Sequence, residues 1–195
     1  MRAISLFSGA GGFELGFDRA GIETVLQCEI DPVARTVLAR HWPNTERAND
    51  VRAINFSMAS KYRRDQTGRN GSGPGHVRDS GIDLVYGGFP CQPFSVAGKR
   101  AGTGDDRNLW PEFRRVVSEL RPRWVVVENV PGLLSIDGGR FFGSILNDLG
   151  ELGFAGVAYA VLDAQHFGVP QRRSRVFVVA GSSSRSIEQI LSICE

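Results

Sequence analysis

The stretch "AISLFSGAGG" at residues 3–12 decides the fold class. A short apolar run that ends in glycines is typical of a buried strand followed by a tight turn. The residues that follow, 12–20, have the composition of a short helix. Because this order of strand, turn and helix recurs along the chain, the sequence predicts an α/β protein.

Further apolar runs predict strands at residues 24–29, 83–88, 123–129, 157–162 and 175–181. Helices are predicted from Pro32, with Asp31 as the cap, from Asn108 to Leu120, and from residues 141 to 152. We therefore expect a doubly wound, mostly parallel, Rossmann-like sheet whose last strand runs antiparallel. One domain over residues 1–182 is expected, with a flexible, exposed insertion at 57–81 and a short tail or helix at 183–195.

The overall composition is that of a soluble globular protein, with 42% hydrophobic and 23% charged residues. The net charge of +2 does not by itself indicate nucleic-acid binding. Basic residues cluster at 61–64, 99–100, 114–115, 121–123 and 172–175, which predicts either solvated surface or a phosphate-binding face. The three cysteines are far apart, so we expect neither disulfides nor a metal site, and a cytoplasmic location.

The glycine turn after the first strand indicates a nucleotide-like ligand. Gly9 and Gly11 begin a G-x-G-x-x-G pattern, but Glu14 stands at its third position. The missing glycine disfavours a Rossmann-type oxidoreductase. Glu29 ends the second strand, 20 residues after Gly9, and a carboxylate there can accept hydrogen bonds from ribose hydroxyls. The alternative is a plain turn and a surface glutamate.

The segment "GGFPCQPFS" at residues 87–95 places a cysteine in a stiff loop after a predicted strand. A free cysteine is most often a small buried hydrophobe. At the carboxyl end of a strand, however, Cys91 is placed like a nucleophile. Cations that follow it, such as Lys99 and Arg100, could help the thiol to ionise.

Two more segments place charged side chains near strand ends. In "VVVENV", Glu128 follows an apolar run and ends its strand, which makes it either an edge residue or a partly desolvated acid. In "QRRSR", Arg173 and Arg175 share one face if the chain is extended. If the last strand is antiparallel, both arginines start at the edge where Cys91 and Glu128 lie.

Taken in order, "FSGAGG", "GFPCQPFS", "ENV" and "QRRSR" resemble four motifs of the cytosine-C5 DNA methyltransferase family. The resemblance implies a restriction-modification type of DNA methylation, with S-adenosyl-L-methionine as cofactor and double-stranded DNA as partner. It implies that a flipped cytosine is attacked at C6 by Cys91 and receives the methyl group at C5. Glu128 would hydrogen-bond the base, while Arg173 and Arg175 would contact its O2 and orient the Cys91 loop.

The resemblance also implies roles for residues around these motifs. Asn129, Gln92 and Ser95 would shape the loop that presents Cys91 to the substrate. A larger set would bind the cofactor: Phe7, Gly9, Gly11, Gly12, Glu29, Ile30, Asp50, Val51, Pro90 and Leu109. No metal is expected. The glycine-containing segment at 97–110 looks like the mobile loop that the family closes over DNA.

The sequence departs from the family pattern after residue 182, where a target-recognition region and a final helical motif would follow. A truncated or fragmentary product is the first expectation. A split enzyme, whose second chain supplies the missing parts, is the second, and a minimal form is the third. Other functions also stay open, namely a tRNA cytosine-C5 methyltransferase and a catalytically silent module that binds cofactor or a partner.

Overall fold

The computed structural model describes residues 1–62, 80–90 and 108–183. In this part of the chain seven strands are present: β1 Arg2–Leu6, β2 Glu23–Cys28, β3 Glu46–Ala48, β4 Leu84–Gly87, β5 Trp124–Asn129, β6 Gly156–Asp163 and β7 Ser174–Gly181. Their order in the sheet is β3-β2-β1-β4-β5-β7-β6. β1, β2 and β3 pair in parallel, whereas β7 is antiparallel to both β5 and β6. The predicted fold class, including the antiparallel last strand, is confirmed.

The described helices are α1 Gly12–Arg19, α2 Pro32–His41, α3 Phe56–Ala59, α4 Trp110–Leu120 and α5 Arg140–Glu151. Short 3-10 turns lie at Val51–Ala53, Ser60–Tyr62, Pro131–Leu134, Ile136–Gly139 and Ala164–Phe167. The predicted cap at Asp31 is present, because its carboxylate accepts from the backbone N–H groups of Val33 and Ala34. Asn108 likewise accepts from the N–H of Trp110, at the start of α4.

The chain divides into two compact units. Unit 1 comprises Met1–Val85 and Arg115–Arg123, and unit 2 comprises Tyr86–Arg114 and Trp124–Glu195. Unit 1 has an aliphatic core in which Ile4, Leu6, Leu26, Leu38 and Ile54 are fully buried. These side chains come from the apolar runs that predicted β1 and β2, and from α2 and the loop before α3.

Unit 2 has a more aromatic core. The Trp110 ring lies 5.6 Å from the Phe89 ring and stacks on Phe113, also at 5.6 Å between centroids. Phe141 of α5 meets Phe89 edge-on at 6.5 Å. Such pairs add specific geometry to apolar burial. They hold Phe89, the residue just beyond β4, in a fixed place.

The predicted insertion at 57–81 begins as ordered structure. Its first residues belong to α3 and to the turn at Ser60–Tyr62, and Ala59 is fully buried. Tyr62 donates a hydrogen bond to Glu46 at 2.6 Å, which ties this turn to β3. Residues 63–79 lie outside the described ranges. The last two residues of the predicted exposed insertion, Ser80 and Gly81, are buried, and the Ser80 hydroxyl donates to the carbonyl oxygen of Leu120 at 2.7 Å.

Within the described ranges, no helix has the length and apolar character needed to cross a membrane. The same residues contain no cluster of histidine, cysteine or acidic side chains that could hold a metal ion.

Candidate active site

The loop after β1 adopts backbone conformations that few residues tolerate. Phe7, Gly9 and Gly11 have φ angles of 56°, 56° and 91°. A Cβ atom at Gly11 would lie 2.4 Å from the Trp42 ring, so glycine there lets the indole pack directly on the loop. Trp42 is held in turn by a 2.9 Å hydrogen bond from its Nε1 to Asp18 of α1. The loop is therefore a fixed, closely packed turn.

Glu29, at the end of β2, joins this loop to the start of α2. Its Oε2 accepts from the N–H of Gly9 at 2.7 Å, and its Oε1 accepts from the N–H of Asp31 at 2.8 Å. A carboxylate oxygen has two lone pairs, so each oxygen can still accept a second hydrogen bond. Glu29 thus presents a pre-oriented acceptor pair next to the glycine turn.

Three further cofactor candidates in unit 1 follow Glu29 in sequence: Ile30 directly, and Asp50 and Val51 after β3. Ile30 is 70% exposed, which leaves a large apolar side chain open to a ligand. Asp50 caps the turn at Val51–Ala53 by accepting from the N–H of Arg52 at 2.9 Å, and Val51 is buried. A Cβ atom at Gly9 or at Gly12 would meet nothing within 4 Å.

These features fit S-adenosylmethionine. Glu29 offers acceptors for ribose hydroxyls, Ile30 offers an apolar face for adenine, and the glycines leave open space beside the turn. The fit rests on the acceptor oxygens of Glu29 and on the exposed side chain of Ile30.

Glu14 was singled out in the sequence only as a missing glycine, yet the structure places it in an unusual environment. It lies in the first turn of α1 with 1% exposure, and neither carboxylate oxygen has a hydrogen-bond partner among the described residues. Burial raises the pKa of this carboxyl. The hydroxyls of Ser5 and Ser8 lie near enough to offset part of the rise, although neither has hydrogen-bonding geometry to it.

In unit 2, Glu128 and Arg175 form an ion pair at the carboxyl end of β5. Arg175 Nε lies 2.8 Å from Glu128 Oε1, and both side chains are partly buried. Glu128 is directly opposite Phe177 in the antiparallel register, so Arg175, two residues earlier on β7, shares its face of the sheet. Two segments far apart in sequence, "ENV" and "QRRSR", therefore meet at one point.

The backbone before the cysteine loop lies against the same pair. A Cβ atom at Gly88 would be 2.6 Å from Glu128 Oε2. The side chain of Asn129 is buried, donates to the carbonyl oxygen of Phe89 at 3.0 Å, and accepts from the N–H of Val130 at 2.9 Å. The end of β5 thus holds Phe89, which is two residues before Cys91.

The remaining predicted residues have varied positions. Pro90 and Arg173 are exposed, and the N–H of Arg173 donates to Asp163 at 3.3 Å. Leu109 is partly exposed, and its carbonyl oxygen accepts from Phe113 as α4 begins. Cys91, Gln92 and Ser95 lie outside the described residues, as does most of the predicted mobile loop.

The sheet order with one antiparallel strand defines the class of protein, a Rossmann-like methyltransferase fold. A solved DNA modification methyltransferase from a prophage of E. coli superimposes with a TM-score of 0.72 at 29% identity, covering 96% of this chain and 48% of that one. Spodoptera frugiperda DNMT2 shares the fold with a TM-score of 0.70 at 22% identity, over 94% of this chain and 50% of that one.

The profile of C-5 cytosine-specific DNA methylases matches residues 1–192, so the chain belongs to that family. The type II methyltransferase M.AquIA of Picosynechococcus is 37% identical over 96% of this chain and 74% of its own length. M1.HphI of Haemophilus parahaemolyticus is 41% identical over 90% of this chain, which spans only 44% of that relative. The resemblance inferred from the four motifs is thereby confirmed.

Proposed function

We propose that this chain carries the catalytic and cofactor-binding part of a DNA cytosine-C5 methyltransferase. The observation that supports it most is the end of β5, where Glu128 meets Arg175 and Asn129 holds the backbone leading to Cys91. Family membership supports the same reaction class. Relatives named as type II methyltransferases support DNA as the substrate.

The first chemical step is assigned to Cys91. Its thiolate adds to C6 of a flipped cytosine, and the electrons of the C5–C6 double bond shift toward N3. Glu128 assists by sharing a proton with N3 and accepting from the exocyclic amine, which lowers the cost of the negative charge that develops on the ring. Arg175, released in part from Glu128, donates to the base O2.

The second step forms the new bond. S-adenosylmethionine would supply the methyl group to C5 of the activated base, with its S–CH3 bond breaking as the C5–CH3 bond forms and S-adenosylhomocysteine leaving. Loss of the C5 proton to a base then returns an electron pair to the ring, the C6–S bond breaks, and Cys91 leaves as thiolate. Glu29, Ile30 and the loop after β1 would hold the cofactor during this sequence.

The chain spans 74% of the length of M.AquIA and 44% of the length of M1.HphI. The proposal therefore covers catalysis and cofactor binding, and a second polypeptide that supplies target recognition is tested alongside it.

Covalent trapping tests the proposal. DNA containing 5-fluorocytosine should form a stable protein adduct in the presence of cofactor, because fluorine at C5 blocks the final elimination. Cys91→Ser should abolish the adduct. Cys28→Ala is the matched control and should keep it, since Cys28 is 2% exposed and burial raises its pKa to about 12.

The same experiment separates the alternatives. An adduct on tRNA but not on DNA would favour the tRNA enzyme. The absence of any adduct, with and without a candidate second polypeptide, would contradict the proposal and favour a silent binding module.

A further inference from the structure

The connection between β6 and β7, residues 164–173, is built as a closed loop. Asp163 Oδ1 accepts from the N–H groups of Gln165 at 3.1 Å and Arg173 at 3.3 Å, while its Oδ2 accepts from the Ser174 hydroxyl at 2.5 Å. The N–H of Ala164 donates to the carbonyl oxygen of Arg173 at 3.1 Å. The two ends of the loop are therefore fastened together at the sheet.

Beyond this closure the loop presents its side chains to solvent. Every residue from 165 to 173 is exposed, with Phe167 at 67% and Val169 at 45%. The adjoining strand β6 also exposes Tyr159, Val161 and Leu162. Exposed apolar side chains grouped in one part of the chain, unlike single ones, indicate an interaction surface.

The charge of the loop indicates which kind of partner it fits. Residues 164–173 contain Arg172 and Arg173 but no acidic residue, and the flanking Asp163 is already engaged by three donors. Cations and an exposed aromatic ring on the same loop suit a polyanion that also offers flat apolar faces. Nucleic acid has both properties.

The position of the loop agrees with this. Because β7 runs antiparallel to β5, the loop before β7 leaves the sheet at the edge where Glu128 ends β5. Arg175, which pairs with Glu128, follows Arg173 by two residues. A duplex presented to Glu128 would thus pass close to the loop.

We propose that the 164–173 loop is a DNA-contacting surface in its own right, in which Arg172 binds a phosphate and Phe167 packs against a sugar or an unstacked base. The inference rests on the proposed function for its choice of DNA. It assigns to this chain a sequence-independent hold on the duplex, separate from the pocket for the target base.

The test is equilibrium binding of a fluorescently labelled duplex to the full chain by anisotropy, over a series of salt concentrations. Arg172→Ala should weaken binding and reduce the slope of log K against log salt by about 1. Phe167→Ala should weaken binding roughly tenfold while leaving the slope unchanged, since it removes an uncharged contact. Thermal unfolding of each variant checks that the fold is retained.

Two exposed residues that are not part of the loop serve as matched controls. Arg123 is an exposed arginine just before β5, at the opposite end of that strand, and Arg123→Ala should bind DNA like the parent protein. Leu15 of α1 is 49% exposed, and Leu15→Ala should also leave binding unchanged.

The outcomes separate this inference from the proposed function. If the parent protein forms the 5-fluorocytosine adduct but the two loop variants bind DNA like the controls, the loop inference is wrong and the function stands. If the loop variants weaken DNA binding but no adduct forms on DNA, with or without a candidate second polypeptide, the function is wrong and the loop inference stands. Variants that bind DNA normally but fail to bind a second polypeptide would reassign the loop to protein contact.

Discussion

The loop after β1 in unit 1 and the end of β5 in unit 2 each contain a key glutamate, but they hold it differently. Glu29 is bound by two backbone N–H groups, which cannot leave without unfolding the turn. Glu128 is bound by the side chain of Arg175, which can rotate to another partner. The first arrangement suits recognition of a ligand whose hydrogen-bonding groups stay the same throughout the reaction. The second suits a site whose hydrogen bonds change as a substrate enters.

The largest expected effect on activity comes from breaking the Glu128–Arg175 ion pair. Glu128→Gln should lower the rate of methyl transfer by about 10²- to 10⁴-fold, because an amide cannot share a proton with the base. Single-turnover kinetics with saturating cofactor and DNA would measure it. Cofactor affinity, set by unit 1 in our proposal, should be unchanged in the same variant. A Glu128→Gln protein as fast as the parent would exclude Glu128 from the chemistry.

The next effect, on stability, tests the rigidity of the loop after β1 that holds Glu29. Gly11→Ala should destabilise the protein by about 2 kcal/mol or more, since alanine is strained at a φ of 91° and its Cβ would collide with Trp42. Urea unfolding measures the change. Gly12→Ala is the matched control, because a Cβ there meets nothing within 4 Å. Equal stability of the two variants would show that the loop yields easily.

The smallest effect concerns Glu14, whose oxygens have no hydrogen-bond partner among the described residues. Burial raises its folded-state pKa above the ordinary value of 4.5, so the folded protein keeps a proton that the unfolded chain has lost. Stability due to this group is present below that value and falls as the pH rises through the folded pKa. Glu14→Gln removes this loss, so the stability of the variant relative to the parent protein should rise between pH 4 and pH 8.

Below pH 4.5 the advantage of Glu14→Gln should disappear, because both states are then protonated. Denaturant unfolding at several pH values would show this, with the exposed Glu23→Gln measured in parallel as a control for a surface substitution. An advantage that did not vary with pH would mean that Glu14 acts through packing and not through its charge.

Much of the fold could be predicted because it depends on short-range patterns. Apolar runs gave β1, β2 and β5 to within a residue or two, and Asp31 followed by Pro32 gave the start of α2. β3 was missed, since "ERA" has no apolar pattern and is a strand only because it pairs with β2. The helix α3 was missed for a similar reason, as it begins at the boundary of a polar segment.

The candidate site could be predicted in its members but not in its contacts. Sequence indicated that Glu128 and Arg175 lie at one edge, yet the direct pairing depends on the register of β5 with β7. The hydrogen bond from Asn129 to Phe89 joins residues that are 40 apart in sequence, so it is also a tertiary contact. Glu14 gave no sequence signal beyond a missing glycine, because burial of a carboxylate is set by the packing around α1.

The absence of a side chain at Gly88 leaves room for the Glu128 carboxylate. A Cβ atom at 88 would lie 2.6 Å from Glu128 Oε2, so a side chain there would push the carboxylate away from Arg175. Alanine at 88 should therefore weaken the Glu128–Arg175 pair, and a shorter acid at 128 would leave room for the added methyl group. A double-mutant cycle of Gly88→Ala and Glu128→Asp would measure how strongly the two positions are coupled.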